Sequence, residues 1–343
     1  MIYLYNLLIG LLRLIYWISR FVNPKASLFI RGRKNIFKNI NTAIAKNSQP
    51  IVWVHCASLG EFEQARPVME KIKSEFLSHK IMLTFFSPSG FEVRKNYDKA
   101  DYIFYLPWDT RKNAIRLLEL TKPVLAIFIK YEFWFHYTTE LKKRNIPILS
   151  VSSIFRPNQL FFKSYGGFYR KILKNFNHFF VQNDESVRLL KSLNMLNCTI
   201  AGDTRFDRVN EMVKKGEEIS VVKKFKNNEK VMVIGSCWPE DLDVLIPFIN
   251  ENYYNIKFII APHEISEALI GNLEKALNSE NIRYSKTEGR KVEDFQVMII
   301  DNIGLLGRLY KYGEFAYVGG AFGKGLHNIL EAACYGIPIF FWK

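Results

Sequence analysis

From residue 51 onward, short apolar and β-branched runs alternate with stretches whose apolar positions recur every three or four residues. The runs predict strands over Ile51–His55, Ile81–Phe86, Tyr102–Leu106, Val124–Ile129, Ile146–Ser152, His178–Gln182 and Cys198–Ala201. Between the first two, Phe62, Ala65, Met69, Ile72 and Phe76 recur at helical spacing and predict a crossover helix. A near-continuous run such as Val124–Ile129 suits a strand covered on both faces of a parallel sheet. A polar, weakly periodic stretch follows at 214–230, after which strands are predicted over Val231–Ile234, Lys257–Ala261, Gln296–Ile300, Phe315–Val318 and Ile337–Phe341. The pattern therefore predicts α/β architecture with two doubly wound, Rossmann-like domains, 23–213 and 231–343, joined by a linker at 214–230. Ligands of such sheets bind at the carboxyl ends of the strands, so a cleft between facing edges is expected. The chain stops directly after its last predicted strand, and the second domain is expected to be incomplete.

The segment 1–22 has a different pattern. It is almost wholly apolar or aromatic, and its polar exceptions Asn6, Arg13 and Arg20 are seven apart, on one helical face. No basic region precedes it, no small-residue cleavage site follows, and Asn23-Pro24 comes next, so it does not read as a secretory signal. An apolar helix with a thin basic stripe, edged by Tyr16 and Trp17, reads as a membrane-associating helix lying in the interface of an anionic bilayer. A spanning anchor and a helix packed in the protein's own core are the alternatives.

Composition narrows the class. The 343 residues are 48% hydrophobic and 24% charged, which excludes a disordered or fibrous chain. The cysteines, Cys56, Cys198, Cys237 and Cys334, form no C-x-x-C pair, so neither a disulfide framework nor structural zinc is expected. With 48 Lys+Arg against 33 Asp+Glu the net charge is +15, which invites nucleic acid as a partner. Its distribution says otherwise. Arg13, Arg20, Lys25, Arg31, Arg33, Lys34, Lys38 and Lys46 all precede Glu61, the first acidic residue, and lie beside the most apolar segment. That arrangement points to an anionic membrane surface and not to nucleic acid.

Candidate chemistry lies at the predicted strand ends. His55-Cys56-Ala57-Ser58-Leu59-Gly60-Glu61 runs from a strand through a turn into a helix. Glu61 is either a general base or an acid that favours a helix dipole, and spacing does not choose between them. A helix N-terminus would lower its pKa unless burial opposes it. His55 and Cys56 are neighbours on a strand, so they point to opposite faces and make a poor nucleophile pair. Tyr131-Glu132-Phe133-Trp134 offers a second carboxylate at a second strand end. Arg205 could neutralise a phosphate or simply pair with Asp203 or Asp207. Pro239-Glu240-Asp241-Leu242-Asp243 holds a D-x-D that reads as a helix cap sooner than a metal site. Gly319-Gly320-Ala321-Phe322-Gly323-Lys324-Gly325 leads into His327-Asn328-Ile329-Leu330-Glu331, offering backbone N–H groups to an anion, with Asn328 and Glu331 on one face to meet a ribose.

In this order, Ser58-Leu59-Gly60-Glu61-Phe62, Phe86-Ser87-Pro88-Ser89-Gly90, Tyr131-Glu132-Phe133-Trp134, Gly202-Asp203-Thr204-Arg205-Phe206-Asp207, Ala261-Pro262-His263-Glu264 and Gly319 through Glu331 resemble the 3-deoxy-D-manno-octulosonic acid (Kdo) transferases of Gram-negative lipopolysaccharide synthesis, in their Bacteroidetes form. The resemblance implies a GT-B glycosyltransferase that moves Kdo from CMP-Kdo to the lipid A precursor lipid IVA. It implies inversion at the transferred sugar, no metal and no cofactor. The place implied is the cytoplasmic side of the inner membrane, held peripherally or by an N-terminal anchor. The family's base falls on Glu61, and its transition-state-stabilising positions fall on Glu132 and on Arg205, where many members have Lys. Its CMP-contacting positions fall on Pro262 and His263, on Ile303, Gly304 and Leu305, and on Asn328, Ile329, Leu330 and Glu331. Many relatives have Arg in place of Pro262 and Glu in place of Leu305, and the family continues beyond the last residue. Two rivals remain at this level. One is a GT-B enzyme using a UDP-sugar on a membrane lipid. The other is a basic binding protein for nucleic acid or anionic lipid, with Phe155, Phe161, Phe162, Tyr165, Phe168 and Tyr169, interleaved with Arg156, Lys163 and Arg170, as a stacking surface; the reading preferred for these residues is an acyl- or phosphate-facing patch.

Overall fold

A computed structural model describes residues 1–215, 217–252, 254–322 and 328–342, with the backbone alone for residues 208, 211, 212, 214 and 215. Contacts divide the chain into two units, Met1–Arg205 and Phe206–Lys343. The first holds β1 (Ile51–Cys56), β2 (Lys80–Phe85), β3 (Tyr102–Tyr105), β4 (Pro123–Ile129), β5 (Ile148–Ser153), β6 (His178–Val181) and β7 (Cys198–Ile200). They form one seven-stranded sheet in the order 3-2-1-4-5-6-7. The second holds β8 (Val231–Cys237), β9 (Lys257–Pro262), β10 (Asn281–Arg283), β11 (Val297–Ile299), β12 (Phe315–Val318) and β13 (Ile339–Phe340), ordered 10-11-9-8-12-13. Every pairing is parallel. These are two doubly wound, Rossmann-like sheets of the GT-B fold class.

Burial on both faces explains the apolar runs. Along β1, Trp53 joins a cluster with Met82 and Phe128 on one face of the sheet, while Val52, Val54 and Cys56 pack with Phe62 and Leu83 on the other. β8 alternates likewise between Val231 and Val233 on one side and Met232 and Ile234 on the other. The short β10 escapes the apolar pattern because it lies at a sheet edge and contains Arg283, whose charge is met by Glu274 at 2.6 Å and Glu267 at 2.8 Å. The polar stretch expected as a linker contains a helix, Ser220–Lys226, whose Val222 and Phe225 are buried in the second unit. Phe155, Phe161 and Phe168 are core residues of the first unit, so the aromatic run around them is not the surface expected from its sequence.

Three helices precede β1: α1 (Ile2–Ser19), α2 (Pro24–Arg31) and α3 (Ile36–Ile44). Asn23 caps α2, accepting from the backbone of Lys25 and Ala26, with Pro24 at the first helical position. α1 packs by a narrow face. Tyr16 stacks on Phe29 at 4.1 Å, Ile9 is buried with Phe29 and Trp108, and the Asn6 side chain meets His136 at 2.7 Å. The Tyr5 hydroxyl donates to Asp109, whose carboxylate also accepts from the backbone of His136 and Tyr137, both at 3.1 Å. Leu4, Leu7, Leu8, Leu11, Leu12, Leu14, Ile15 and Ile18 remain exposed. By length and composition α1 is apolar enough to cross a membrane, yet its inner face is fastened to the first unit. Arg33, counted among the N-terminal cations, is withdrawn from the surface. It stands 3.6 Å over the Phe29 ring, donates to the carbonyls of Phe29, Phe86 and Leu106, and burial pushes its pKa down to about 9.

In the second unit one buried carboxylate organises the turn after β12. Asp241 accepts from the Trp238 N–H at 2.8 Å, the Gly320 N–H at 3.0 Å and the Tyr317 hydroxyl at 2.8 Å. It caps the helix Pro239–Glu251 and ties that helix to the glycine turn, as the cap reading of the D-x-D expects. Gly319 is required sterically, since a Cβ there would lie 2.6 Å from the Ser236 carbonyl oxygen and 2.7 Å from the Asp241 carboxylate. Asp241→Ala strands three donors and should lower unfolding free energy by about 3 kcal/mol or more in urea titration. Gly319→Ala should destabilise in the same assay.

Candidate active site

The first sheet reverses its strand order between β1 and β4, and carboxylates follow both strands there. The helix α4 (Leu59–Glu75) begins directly after β1, with Ser58 at its N-cap and Glu61 in its first turn. Glu61 Oε2 accepts from the Ala57 N–H, so Glu61 does satisfy a helix-start donor. Its carboxyl nonetheless holds its proton more strongly than an ordinary one. Burial and the neighbouring Glu132 carboxylate push its pKa up to about 8, against backbone hydrogen bonds from Ala57 and Ser58 and the charge of Lys130. The helix N-terminus alone would have held it low, and desolvation wins.

Glu132, in the loop after β4, is buried and held through one oxygen. Its Oε2 lies 2.9 Å from His55 Nε2 and accepts from the Trp134 indole N–H at 2.7 Å. On the other side of the ring, His55 Nδ1 is 2.9 Å from the Thr84 hydroxyl and 3.1 Å from the Thr84 carbonyl. Trp53 Nε1 in turn donates to the Thr84 hydroxyl at 2.8 Å. The result is a buried line of polar groups, Trp53–Thr84–His55–Glu132–Trp134, across the ends of β1, β2 and β4.

Arg205 follows β7. Its guanidinium forks onto Asp203, with Nε and Nη2 within 3.1 Å of the carboxylate, which is the local pairing that spacing allowed. Burial works against the Asp203 charge, but Arg205 and Gln64 outweigh it and hold the carboxyl below its usual range. Gln64 Nε2 donates to Asp203 at 3.1 Å and the Thr204 hydroxyl donates to the Gln64 carbonyl at 2.6 Å. Gln64 is close to one helical turn beyond Glu61, so the turn of Asp203 and Thr204, which leads into the helix that starts at Arg205, is pinned to the helix bearing Glu61. Nη1 of Arg205 has no hydrogen-bond partner among the described residues.

In the second unit the candidate donor-binding residues follow β9, β11 and β12, all at the carboxyl edge of its sheet. Pro262 closes β9 and is buried, while His263 is exposed and stacks on Trp238 at 4.2 Å. Ile303 is 92% exposed, Gly304 has a φ of +98°, and Leu305 packs partly against the core. Asn328 Nδ2 donates to Glu331 at 3.3 Å, and Asn328 Oδ1 accepts from the Leu330 N–H at 3.2 Å, so the expected facing pair forms. Ile329 and Leu330 lead the short helix Leu330–Ala333. Residues 323–327 of the glycine-rich stretch lie outside the described residues.

Residues 31–208 match the family described as 3-Deoxy-D-manno-octulosonic-acid transferase (kdotransferase). A 3-deoxy-D-manno-octulosonic acid transferase of Aquifex aeolicus is 30% identical over 302 residues, 86% of this chain and 77% of that protein. The chain belongs to this family. A Rickettsia felis relative of the same description is 27% identical, over 87% of this chain and 65% of its own length. Among solved structures, the UDP-GlcNAc 2-epimerase of Neisseria meningitidis superposes with a TM-score of 0.53 at 15% identity, over 85% of this chain and 81% of that one, a likeness of fold alone. As a Kdo transferase family member, the chain is a glycosyltransferase of lipopolysaccharide biosynthesis.

Within this Kdo transferase fold, His55, Lys130, Trp134 and Gln64 stand beside the expected residues without having been singled out as partners of them. Strand alternation was the available signal for His55. It places the ring on the face opposite Cys56, whose thiol burial pushes up and leaves neutral. The raised pKa of Glu61 has a stability consequence. Between the ordinary carboxyl range and about pH 8 the folded protein keeps a proton that the unfolded chain has released, so stability falls as pH rises through that window. Glu61→Gln should therefore melt at a higher temperature than the wild type at pH 9 and at the same temperature at pH 4, as read by thermal melts.

Proposed function

We propose that the chain transfers Kdo from CMP-Kdo to lipid IVA in an inverting, metal-independent displacement at the cytoplasmic side of the inner membrane. One observation carries the reading: Glu61 has a pKa raised to about 8 at the carboxyl end of β1, where a base effective near neutral pH is wanted. An acceptor hydroxyl oxygen bonds to the anomeric carbon from the face opposite the departing CMP, and Glu61 takes the hydroxyl proton. The bond from that carbon to the phosphate oxygen breaks, and its electron pair leaves with CMP. Positive charge grows on the sugar as this happens, and the Glu132 carboxylate opposes it electrostatically. Arg205 sets its guanidinium against developing negative charge, with Asp203 fixing its orientation. CMP is held by Pro262, His263, Ile303, Gly304, Leu305, Asn328, Ile329, Leu330 and Glu331. A leaving group with one phosphate needs no more cationic help than arginine and backbone N–H groups supply.

The acceptor is an anionic lipid, and α1 supports its recruitment. Its outer face is apolar and exposed, while Arg13 stands at the margin beside Asn6 and His136 and the Arg20 guanidinium lies 4.7 Å over the Trp17 and Phe21 rings. That combination suits the interface of an anionic bilayer.

In an assay with CMP-Kdo and lipid IVA, Glu61→Gln should lower kcat by about 10²- to 10⁴-fold. Wild-type turnover with a UDP-sugar in place of CMP-Kdo would overturn the donor assignment, as would heat protection by UDP and not by CMP. Leu11→Glu with Leu14→Glu alters only exposed positions of α1. It should sharply reduce co-sedimentation with anionic vesicles while leaving the melting temperature of the protein within a few degrees of wild type.

A further inference from the structure

A cavity of about 340 Å³ in the first unit is lined by Arg33, Asn35, Lys38, Trp108, Asn113 and Arg116, with apolar neighbours and no acid. It lies at the start of α3. Asn35, the N-cap, has a φ of +57° and its side chain does not cap the helix. No acid stands in the first turn, and among the described residues the backbone N–H groups of Phe37 and Lys38 have no acceptor. A helix start left open in this way attracts an anion.

The side chains add charge to that opening. Arg33 is buried, donates to three carbonyls and has no carboxylate partner among the described residues. Those bonds leave two of its five N–H groups over. Burial lowers its pKa only to about 9, so the guanidinium is charged at neutral pH. Lys38 comes from α3 and Arg116 from the helix Arg111–Thr121, again with no acid paired to either among the described residues. Arg116 stands 4.6 Å over the Phe37 ring. Like charges gathered without a counter-charge repel one another, and a bound anion removes that cost.

The place of the cavity says which anion fits. Pro107 and Trp108 come directly after β3, so they lie at the same carboxyl edge as Glu61 and Glu132. β3 is two places from β1 in the sheet, which separates their ends by about 10 Å. Aromatic rings bridge the interval toward Glu132. Trp134, its indole donor, packs on Phe86 at 4.9 Å, and Phe86 meets Trp108 at 5.9 Å. Trp108 also meets Tyr16 of α1 at 5.8 Å, so the cavity is beside the helix with the exposed apolar face.

We propose that this cavity is a subsite for a phosphate monoester on the lipid acceptor, held by Arg33, Lys38, Arg116 and the start of α3 while the reacting hydroxyl stands at Glu61. The inference rests on the reading of the chain as a transferase to an anionic lipid, and deepens it by naming the part of that lipid that is recognised. Inorganic phosphate and a bilayer phospholipid offer the same chemistry. The acceptor is favoured because the interval from the end of β1 is one that a disaccharide spans.

The test is equilibrium binding of lipid IVA, in detergent micelles and without donor, to the full chain, joined to KM values measured with CMP-Kdo. Lys38→Gln with Arg116→Gln should weaken lipid IVA binding and raise its KM by about tenfold or more, with the KM for CMP-Kdo little changed. Both side chains are exposed, so this double variant should melt within a few degrees of the wild type. Lys171→Gln with Lys174→Gln removes as much charge elsewhere in the first unit and should leave lipid IVA binding as it was. Of the two acceptors that lack one phosphate of lipid IVA, one should bind the wild type about tenfold less tightly, yet bind the Lys38/Arg116 variant as well as lipid IVA does. Unchanged affinity in that variant, an equal loss in the lysine control, or losses from protein and acceptor that simply multiply would overturn the proposal. Two further results would reassign the cations and overturn it as well. One is loss of binding to phosphatidylglycerol vesicles with lipid IVA binding in micelles retained. The other is heat protection of the wild type by inorganic phosphate that leaves its hold on lipid IVA untouched. The expected binding pattern in a wild type without turnover rejects the transfer reaction and keeps the site, whereas turnover with unchanged binding in the double variant rejects the site alone.

Discussion

Parallel pairing is the constraint on which the rest of this protein depends. When every strand of a sheet points the same way, every crossover must return to the starting edge, and all the carboxyl ends collect at the other. Each sheet then has one place where neighbouring crossovers leave in opposite directions, and the loops part there. In the first unit that place lies between β1 and β4, and the loops that part there carry Glu61 and Glu132. In the second it lies between β8 and β12, next to Gly319, Gly320 and the Asp241 carboxylate that secures them. The chemistry-bearing residues are far apart in sequence because topology, and not sequence proximity, assembles them.

Two carboxylates side by side in partly desolvated surroundings repel each other, and the two are relieved differently. Glu132 Oε2 sits 2.9 Å from His55 Nε2 and accepts from the Trp134 indole N–H, within a buried network. Glu61 has backbone donors and the charge of Lys130, which do not offset burial and the Glu132 carboxylate, so it holds a proton until about pH 8. The two like groups thus sit in different surroundings, one among side-chain donors and the other buried at a helix start.

Much of the fold was legible because strands buried on both faces leave uninterrupted apolar runs. The exceptions have local causes. β10 is an edge strand whose Arg283 is neutralised from a neighbouring helix, and a charge in a three-residue strand erases the pattern. The helix Ser220–Lys226 buries only Val222 and Phe225 amid lysines, too few positions to display a period. Glu61, Glu132 and Arg205 stood out because each follows a strand end, yet the partners that tune them did not. His55 and Glu132 are 77 residues apart, and only the β1–β4 pairing makes them neighbours. Arg33 misled in the other direction. Its charge adds to the N-terminal total, but four aromatic rings and three carbonyls enclose it.

The contact between Tyr5 and Asp109 joins α1 to the start of the helix that follows Glu132. Asp109 holds the backbone N–H groups of His136 and Tyr137, and these begin the helix that directly follows Glu132 and Trp134. Tyr5 supplies that carboxylate with its hydroxyl proton and lays its ring against Phe135 and Phe168. Removing α1 to obtain a more soluble protein would therefore unload a buried aspartate just behind the loop that presents Glu132. The helix with the exposed apolar face is thus also a support of the loop that carries Glu132, and removing it would alter that loop along with the surface.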